Sequence, residues 1–482
     1  MSALPDLPVD LQLPPPGSRQ RLRELHRQLR DAIIEGRLHA GFRLPSTRDL
    51  AQQLGMSRNT VVAVYELLLA EGYIASRAAS GHFVAEIARS KAAVRRDAAK
   101  PRTLSAGAHV RLEGMDPNPP PARIEFAPGI ADAVRFPHAI WGRLLARSVR
   151  ALSQGRIPRG QAQGQASLRA ALARHVAHTR AVACDAESVI VVNGSQQAFD
   201  LLARTLVIPG QTRIAVEDPG FSPPGVTFAA AGARLMPTPV DDDGLRVDKL
   251  KTGVDLVYVT PSHQYPLGCI LSSQRRAALI DFSRRERALV IEDDYDAEYR
   301  YDDRPLDALQ TLDRHGDVVY VGTLSKVLYP TARLGFMVAP PSLVPALVAA
   351  KRHADSHTDV ILQEAAAAFI AEGHLMRHLR RMRQVYGARR QLILDGLQRD
   401  FSRWLRPVPG AAGLHIAALA VGEWDVDGVV ARAREVGIGV RSISRYALRR
   451  GPAGLMFGYG AIEEPAIVEG LQGLLRVMKR HA

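Results

Sequence analysis

Apolar residues in the first 90 positions recur with the period of an α-helix in three segments. Leu25, Leu29, Ala32 and Ile33 share one face of the first segment, which ends at Gly36. The next two segments are separated by a short turn that contains Gly55, the pattern of a helix-turn-helix. We therefore predict three packed helices near the start of the chain.

Capping residues mark the beginnings of the second and third helices. Ser46 precedes the second helix, and Asp49 follows three residues later as a variant of the capping box. Ser57 caps the third helix, which buries Val61, Tyr65, Leu68 and Leu69. Residues 73–75 and 81–84 then predict a two-stranded hairpin, so residues 18–86 predict a winged helix-turn-helix domain.

The third helix exposes Arg58, Asn59 and Thr60 in its first turn. A recognition helix directs these positions at base edges in the major groove, where Arg pairs with guanine and Asn with adenine. Arg77, between the two hairpin strands, is expected to reach a phosphate or the minor groove. DNA is the favoured partner, and the protein-binding winged helices remain an alternative.

The composition of residues 87–122 differs from that of the preceding domain. Basic residues alternate there with Ala and Ser, and a Pro-rich stretch closes the segment. Without periodicity this composition predicts a linker, either a simple spacer or an additional contact to phosphates.

Short β-branched runs alternate with helical segments in the remainder of the chain. Residues 188–192, 212–216 and 256–259 predict strands, as do Leu289–Ile291 and Val318–Val321, which have the character of buried parallel strands. This alternation predicts a doubly wound α/β sheet.

Side chains with distinctive chemistry follow the last two runs. Asp293 and Tyr295 come after the first run, and Lys326 and Arg333 come after the second. Ligands of open α/β sheets bind beyond the carboxyl ends of strands. The set suits pyridoxal 5′-phosphate: Lys forms an imine, Asp holds the pyridine nitrogen, Tyr contacts the ring oxygen and Arg grips the phosphate. A salt-bridge cluster in a nucleotide-binding domain is the alternative.

Two further segments fit such a site. Gly194, Ser195 and Gln196 form a turn that leads into a helix, and free N–H groups at a helix N-terminus bind anions such as phosphate. Phe221 follows a Pro-Gly turn and offers a flat ring for stacking on a pyridine. Capping alone and a core Phe are the respective alternatives.

Charge and cysteine content narrow the class of protein. The 482 residues carry a net charge of +14, which favours a polyanionic partner such as nucleic acid. The two cysteines, Cys184 and Cys269, lack metal-ligand spacing, so we expect no metal. No apolar run approaches the roughly 20 residues of a membrane span, and the start of the chain lacks signal-peptide character. We therefore expect a cytoplasmic protein.

The spacing of these residues resembles that of fold-type I aminotransferases. Lys326 follows Asp293 by 326 − 293 = 33 positions, and Arg333 follows Lys326 by 333 − 326 = 7. The segments EDDYD and GTLSK, together with LPSTRDLAQQLGMSRNTVVAVYELLLAEGYI near the start, resemble the MocR-type regulators of the GntR superfamily. That family joins a winged helix-turn-helix head to an aminotransferase-like body.

The resemblance implies a multidomain fold: a mostly α winged helix-turn-helix at 18–86, a linker at 87–122, and an α/β fold-type I transferase with large and small subdomains at 123–482. It implies a homodimer, pyridoxal 5′-phosphate as cofactor and double-stranded DNA as partner. The implied DNA contacts are Arg43, Ser46, Arg48, Ser57, Arg58, Asn59, Thr60, Tyr65, Arg77 and Gly81, where Tyr65 is equally a core residue and Gly81 equally a turn former.

The same resemblance extends the cofactor site. It places Gly194, Ser195, Gln196, Thr323 and Arg333 around the phosphate. The loop TPSHQYPLG implies that His263 and Gln264 line the edge of the ring, with a structural histidine as the alternative.

Two departures from the family bear on activity. The family commonly has at this point a segment whose Tyr reaches the phosphate of the neighbouring subunit. Here residues 159–164 read RGQAQG and contain no Tyr, so either Arg159 replaces that contact or the contact is lost. No arginine clearly matches the one that binds a substrate carboxylate, and Arg441 and Arg445 are the nearest. We expect a regulator that senses an amino compound or the cofactor through Lys326, with a working aminotransferase as the alternative.

Overall fold

The computed structural model describes residues 7–18, 20–77, 80–86, 105–113, 120–296, 298–302, 306–328, 330–410, 412–449 and 451–481, without the side chains of residues 112, 113 and 330. The chain divides into two compact units, Met1–Thr103 and Leu104–Ala482. Residues 87–104 and 114–119 of the predicted linker lie outside the described residues. No helix in the described ranges is both long enough and apolar enough to cross a membrane.

The first unit has the three helices and the hairpin that its sequence predicts. Its elements are α1 (Arg21–Ile34), α2 (Thr47–Gln53), α3 (Arg58–Ala70), β1 (Ile74–Arg77) and β2 (Gly81–Val84). Both predicted caps are confirmed: the Ser46 hydroxyl accepts from the Asp49 N–H, and the Ser57 hydroxyl accepts from the Thr60 N–H. The predicted apolar faces pack together as one core, with Leu25, Leu29, Val61 and Leu68 fully buried.

The second unit contains the remaining helices and strands. Its described helices are α4 (Ala106–Glu113), α5 (His138–Ser153), α6 (Ala166–Arg180), α7 (Ser195–Leu206), α8 (Ser222–Ala230), α9 (Ser273–Glu286), α10 (Val344–Asp355), α11 (Val360–Ala371), α12 (His374–Asp400), α13 (Val426–Glu435) and α14 (Glu464–His481). Its described strands are β3 (Ile124–Glu125), β4 (Val189–Val192), β5 (Arg213–Asp218), β6 (Arg234–Asp241), β7 (Gly244–Leu245), β8 (Leu256–Val259), β9 (Leu289–Asp294), β10 (Val318–Thr323), β11 (Gly335–Val338), β12 (Leu405–Pro407), β13 (His415–Ala420), β14 (Ile438–Gly439), β15 (Arg441–Ser442) and β16 (Gly454–Gly458).

An eight-stranded sheet forms the centre of this unit, in the order β4-β11-β10-β9-β8-β5-β6-β7. The strands from β10 to β6 in that order pair in parallel, whereas β11 is antiparallel to both of its neighbours. The predicted parallel pairing of β9 and β10 is confirmed. Helices cover the sheet, and the α/β class predicted from the sequence is correct.

Strand β9 is longer than its apolar run. The run ends at Ile291, but strand pairing continues through Asp294. Glu292 pairs with Val259 on one side and Tyr320 on the other, and Asp294 pairs with Gly322 of β10. The three carboxylates are therefore held on a central strand and are buried, rather than displayed on a loop.

A second sheet, β12-β13-β16-β15, forms the smaller subdomain, joined to the larger one by the long helix α12. Helix α4 lies in the region assigned from the sequence to the linker and packs on α8. A Cβ atom at Gly107 would lie 2.3 Å from the carbonyl oxygen of Ala230, so only glycine allows this close approach.

Candidate functional site

A cavity of about 270 Å³ opens beside the ends of β9 and β10. It contains most of the residues that the sequence predicts for a cofactor site. Its lining residues are Pro128, Gly129, Ser195, Gln196, Phe221, Tyr265, Asp293, Tyr295, Thr323, Ser325, Lys326 and Arg333.

The pairing of β9 with β10 brings Asp293 and Lys326 together. Asp293 lies opposite Val321 in the parallel register, and Lys326 follows five residues after Val321 in a turn. The Lys326 amine donates to the carbonyl oxygen of Gly129. Burial lowers the pKa of Lys326, while the nearby carboxylates of Asp296 and Asp293 act in the opposite direction. A lowered pKa favours the neutral, nucleophilic amine.

Asp293 presents one carboxylate oxygen to the protein and leaves the other unused. Its Oδ2 accepts from the Tyr258 hydroxyl at 2.7 Å. Its Oδ1 is buried and has no hydrogen-bond partner among the described residues. Burial raises the pKa of Asp293 to about 7, and the hydrogen bond from Tyr258 opposes that rise. A buried carboxylate oxygen without a partner is costly, and a cationic N–H in the cavity would satisfy it.

Tyr295 lies next to this carboxylate. Its hydroxyl donates to the backbone oxygen of His263 at 2.9 Å and is 3.1 Å from Nδ1 of the same histidine. Burial raises the pKa of Tyr295 well above its ordinary value, so the phenol remains a hydrogen-bond donor at neutral pH.

The phosphate side of the cavity is formed by the first turn of α7 and by Arg333. Helix α7 begins at Ser195, directly after Gly194, which has a φ of +80°. A Cβ atom at Gly194 would lie 3.1 Å from Cζ of Arg333, so this glycine also makes room for the guanidinium. Arg333 donates to the carbonyl oxygen of Asn193 at 3.3 Å. Free N–H groups, a helix dipole and a guanidinium therefore converge on one point, which favours a dianion.

Aromatic rings form the remaining wall. Phe221 packs edge-on against Tyr265 with ring centroids 5.3 Å apart. Tyr265 in turn packs edge-on against Tyr446, with ring centroids 5.0 Å apart. Phe221 is the N-cap residue of α8, so its position is fixed by that helix.

Three predicted cofactor residues, Gly194, His263 and Gln264, lie outside the lining of this cavity, and Gly194 directly precedes the lining residue Ser195. His263 is buried behind Tyr295 and contacts Asp296. Gln264 is 1 % exposed, and its amide donates to the backbone oxygens of Pro219 and Tyr265. The position of His263 fits the alternative interpretation, that of a structural histidine. Gln264 connects the loops that contain Pro219 and Tyr265.

The candidate carboxylate-binding residues also lie outside this lining. Arg441 is on β15 and Arg445 is in the short helical turn that follows. Pro128, Gly129, Tyr265 and Ser325 do line the cavity, although the sequence did not single them out. The position of Tyr265 inside TPSHQYPLG was the available signal for one of them.

The donor set of the cavity fits pyridoxal 5′-phosphate. The unpartnered Oδ1 of Asp293 matches a protonated pyridine nitrogen, and the Tyr295 hydroxyl matches a phenolate oxygen. The first turn of α7 and Arg333 match a phosphate, and Lys326 supplies the amine for an aldehyde.

The predicted DNA-contacting residues occupy different environments in the first unit. Arg48, Arg58, Asn59 and Arg77 are exposed, and Arg77 lies over the Phe83 ring at 4.8 Å. Ser46, Ser57 and Thr60 take part in helix caps, and Arg43 lies within 4.0 Å of a Cβ placed on Gly81.

Tyr65 is a core residue. It is 1 % exposed, and its hydroxyl donates to the carbonyl oxygen of Pro45 at 2.8 Å. The buried ring is not available for a direct contact with DNA. The structure therefore favours the alternative interpretation, in which Tyr65 is a core residue.

Both units match known protein families. The family of bacterial regulatory proteins called gntR matches residues 22–84, and the aminotransferase class I and II family matches residues 144–414.

Relatives over nearly the full chain are named regulators. The chain is 37% identical over 457 residues to a probable rhizopine catabolism regulatory protein MocR of Rhizobium meliloti, covering 94% of this chain and 92% of that protein. It is 32% identical over 473 residues to the pyridoxine biosynthesis transcriptional regulator PdxR of Corynebacterium glutamicum, covering 96% and 97% of the two chains.

The second unit also resembles solved enzyme structures. Kynurenine aminotransferase of Pyrococcus horikoshii matches with a TM-score of 0.69 and 25% identity, over 80% of this chain and 96% of that one. LysN, an α-aminoadipate aminotransferase of Thermus thermophilus, matches with a TM-score of 0.68 and 26% identity, over 79% and 96%. With the winged helix-turn-helix and the aminotransferase-like site on one chain, this protein belongs to the MocR-type regulators of the GntR superfamily.

Proposed function

We propose that this protein is a transcriptional regulator that binds double-stranded DNA through its first unit and pyridoxal 5′-phosphate through its second. The observation that carries the proposal is that a buried, unpartnered Asp293 oxygen and the Lys326 amine line one cavity, on a chain that also has a DNA-binding fold. Its relatives named as HTH-type regulators support the same conclusion.

Each part of the cofactor has a residue to hold it. We assign the phosphate to Arg333, Ser195, Thr323 and the backbone of Gly194, and the pyridine nitrogen to Asp293. Tyr295 donates to the ring oxygen, and Phe221 covers the ring. When bound, the cofactor supplies an aldehyde that combines with amines and a ring that accepts electrons. Lys326 is the amine that the protein itself offers.

The effector in this proposal is an amino compound, or the cofactor itself. A ligand alters DNA binding only if it binds the DNA-competent and incompetent states with different affinity. Helix α4 is a suitable link, because it is the first described element after residue 104 and packs on α8. The N-cap residue of α8 is Phe221, and the Gln196 amide donates to Thr227 on α8 at 2.7 Å. Two sides of the cavity are thereby connected to α4.

Reductive trapping combined with DNA binding tests the proposal. Borohydride treatment of the protein saturated with pyridoxal 5′-phosphate should add one cofactor mass to the peptide that contains Lys326, and Lys326→Ala should abolish it. A set of random DNA duplexes should yield a selected sequence whose affinity differs between the cofactor-free and cofactor-bound protein. Lys351→Ala, which removes a buried lysine outside the cavity, is the control for lysine specificity.

An active aminotransferase is the second candidate function, favoured by the presence of Lys326, Asp293, Tyr295 and Arg333 in one cavity. Arg441 and Arg445 do not line this cavity, which favours a sensor over an enzyme of amino acids. Sustained production of keto acid from common amino acids, without a sequence-selective DNA complex, would support the enzyme instead.

We further propose a homodimer that acts in the cytoplasm. Aminotransferase-like folds are commonly dimeric, and two winged helices on one dimer would read two half-sites. Sedimentation of the cofactor-bound protein, alone and with the selected duplex, measures the stoichiometry.

A further inference from the structure

A buried layer of polar side chains lies directly behind Tyr295. It consists of His263, Asp296 and His415, which are 3 %, 0 % and 2 % exposed. The sequence predicts His263 at the edge of the cofactor ring and predicts no role for Asp296 or His415. Because such groups are rarely buried without a function or a complete set of partners, their hydrogen bonds need to be accounted for.

The hydrogen on Nδ1 of His263 is fixed by Asp296. An ionised carboxylate only accepts, and Asp296 Oδ1 lies 3.0 Å from this nitrogen, so Nδ1 carries the hydrogen. Asp296 Oδ2 also accepts from the Leu414 N–H at 3.0 Å, which locks the carboxylate in place. The carboxylate therefore selects one tautomer and one orientation of the ring.

Tyr295 contacts the same histidine twice. Its oxygen lies 3.1 Å from the protonated Nδ1 of His263, and its hydrogen is donated to the His263 backbone oxygen at 2.9 Å. The single Nδ1 hydrogen is therefore shared between Asp296 and the phenol oxygen in a bifurcated hydrogen bond. A phenol that accepts even one branch of such a bond is a stronger donor through its own O–H. The backbone oxygen holds that O–H until another acceptor enters the cavity.

His415 completes the layer by packing. Its ring centroid lies 4.5 Å from that of His263, and its Nε2 donates to the carbonyl oxygen of Pro266 at 3.1 Å. Burial lowers the pKa of His415 to about 3, so this ring is neutral and its buried Nδ1 has no partner among the described residues. His415 therefore adds no charge to the pair and restricts the tilt of the His263 ring.

We propose that His263 and Asp296 are positioning residues that orient and strengthen the Tyr295 hydroxyl as the donor to the ring oxygen of a bound pyridoxal phosphate. This inference rests on the proposed function, because it requires the cofactor to occupy the cavity. The other titratable groups around Tyr295 are Asp293, Lys326, Tyr265 and Arg333 in the cavity, with Tyr258 and His415 behind it. Among the described residues, Asp293, Tyr258, Lys326, Arg333 and His415 form hydrogen bonds with groups other than Tyr295, so the effect of Asp296 and His263 on the Tyr295 hydroxyl can be measured separately.

The effect is measurable in the full-length protein loaded with pyridoxal 5′-phosphate. A donor to the ring oxygen stabilises the deprotonated form of the bound cofactor and lowers the pH midpoint of its visible absorbance change. His263→Leu should therefore raise this midpoint by about 0.5 to 1 pH unit, a three- to tenfold change in proton affinity. His263→Asn places an amide N–H near the position of Nδ1 and should recover about half of the shift.

A double-mutant cycle separates positioning from general disturbance. In a Tyr295→Phe background the same changes at His263 should leave the midpoint unaltered, because the donor on which they act is gone. Asp296→Asn also removes a negative charge that acts on Lys326, so its contribution through Tyr295 is the difference between its shifts in the two backgrounds. Equal shifts with and without the Tyr295 hydroxyl would overturn the proposal. Asp296→Asn is nearly isosteric, so its shifts in the two backgrounds keep the test available if His263→Leu does not fold.

Two other outcomes are diagnostic. The ligating atoms of His263, Asp296 and His415 lie within 4.8 Å of one another, so a bound divalent cation is the competing explanation. Stoichiometric metal in the purified protein, lost in Asp296→Asn, would overturn the proposal. Unchanged midpoints in a protein that binds the cofactor would overturn this inference alone, whereas a wild-type protein with no cofactor absorbance would overturn the proposed function as well.

Discussion

Tyr258 donates its hydroxyl hydrogen to Oδ2 of Asp293 at 2.7 Å, across the pairing of β8 with β9. This contact decides which oxygen of the carboxylate faces the cavity. With Oδ2 engaged, the buried Oδ1 is the atom that remains for a ligand. The tyrosine is thus part of the site, although it lies outside the cavity lining.

The Tyr258 hydrogen bond should set the pH dependence of cofactor binding. Asp293, with a pKa raised to about 7, becomes neutral as the pH falls and then pairs poorly with a protonated pyridine. Affinity for pyridoxal 5′-phosphate should therefore fall below about pH 7. Because the Tyr258 bond lowers this pKa, Tyr258→Phe should move the fall upward by about 1 pH unit. Titrating the cofactor-free protein with pyridoxal 5′-phosphate at several pH values gives the affinity at each pH and thus the midpoint of its fall.

A matched control is available on the neighbouring strand. Tyr320 donates to Asp294 at 2.9 Å in a similar buried pair, but neither residue lines the cavity. Tyr320→Phe should leave the midpoint of cofactor binding unchanged, and an equal shift would mean that the Asp293 assignment is wrong.

Gly194→Ala should weaken binding of the cofactor by about tenfold or more. The new methyl group would crowd the Arg333 guanidinium, 3.1 Å away, and would strain a backbone with φ of +80°. Gly210→Ala isolates the strain, because Gly210 has φ of +76° and open space around its Cβ position. Both changes should cost about 1 kcal/mol of unfolding free energy, and only the first should raise the Kd for pyridoxal 5′-phosphate.

Gly107→Ala should uncouple the two units. Its methyl group would meet the Ala230 carbonyl oxygen at 2.3 Å, so α4 must move away from α8. We expect normal cofactor absorbance but a ratio of DNA affinities, with and without cofactor, that approaches one. Gly142→Ala, in α5 with nothing within 4 Å, is the control and should keep the wild-type ratio. A wild-type ratio in Gly107→Ala would remove α4 from the proposed link.

Arg58→Ala should weaken sequence-specific DNA binding by about 1–3 kcal/mol, because Arg58 is exposed at the start of the recognition helix. Cofactor absorbance should be unaffected. Arg23→Ala, an exposed arginine on α1, serves as the comparison for loss of charge alone. Competition between the selected duplex and a scrambled one measures specificity, and equal effects of the two changes would contradict the assigned recognition helix.

Tyr65→Phe should lower stability and leave DNA specificity intact. The change removes the hydrogen bond to Pro45 and leaves a carbonyl oxygen without its donor, at a cost of about 1 kcal/mol. Chemical unfolding of the protein measures this loss. If Tyr65→Phe lost affinity for its specific DNA sequence under conditions where the protein is folded, Tyr65 would again be assigned as a DNA contact.

The amino-acid sequence alone predicted the helices and hairpin of the first unit, several strands and helices of the second, and the main reactive residues. Ser46 and Ser57 mark helix starts because capping depends on residues three positions apart. The β-branched runs mark strands because such a run is formed by neighbouring residues in the sequence. The spacing of Asp293 and Lys326 on consecutive strand ends predicted their meeting, because parallel strands end at the same edge of a sheet.

Only the tertiary structure decided which polar atoms meet. The acidic residues after Ile291 have the composition of a loop, yet they belong to a central strand, because Glu292 pairs with β8 and β10 and the pairing with β10 continues through Asp294. Lys326 and Gly129 are 197 positions apart, and Tyr258 and Asp293 are 35 apart, so no local pattern records either contact. Burial and hydrogen bonding of a side chain are set by neighbours from distant parts of the chain, which is why His263 lies behind the cavity and Tyr265 lines it.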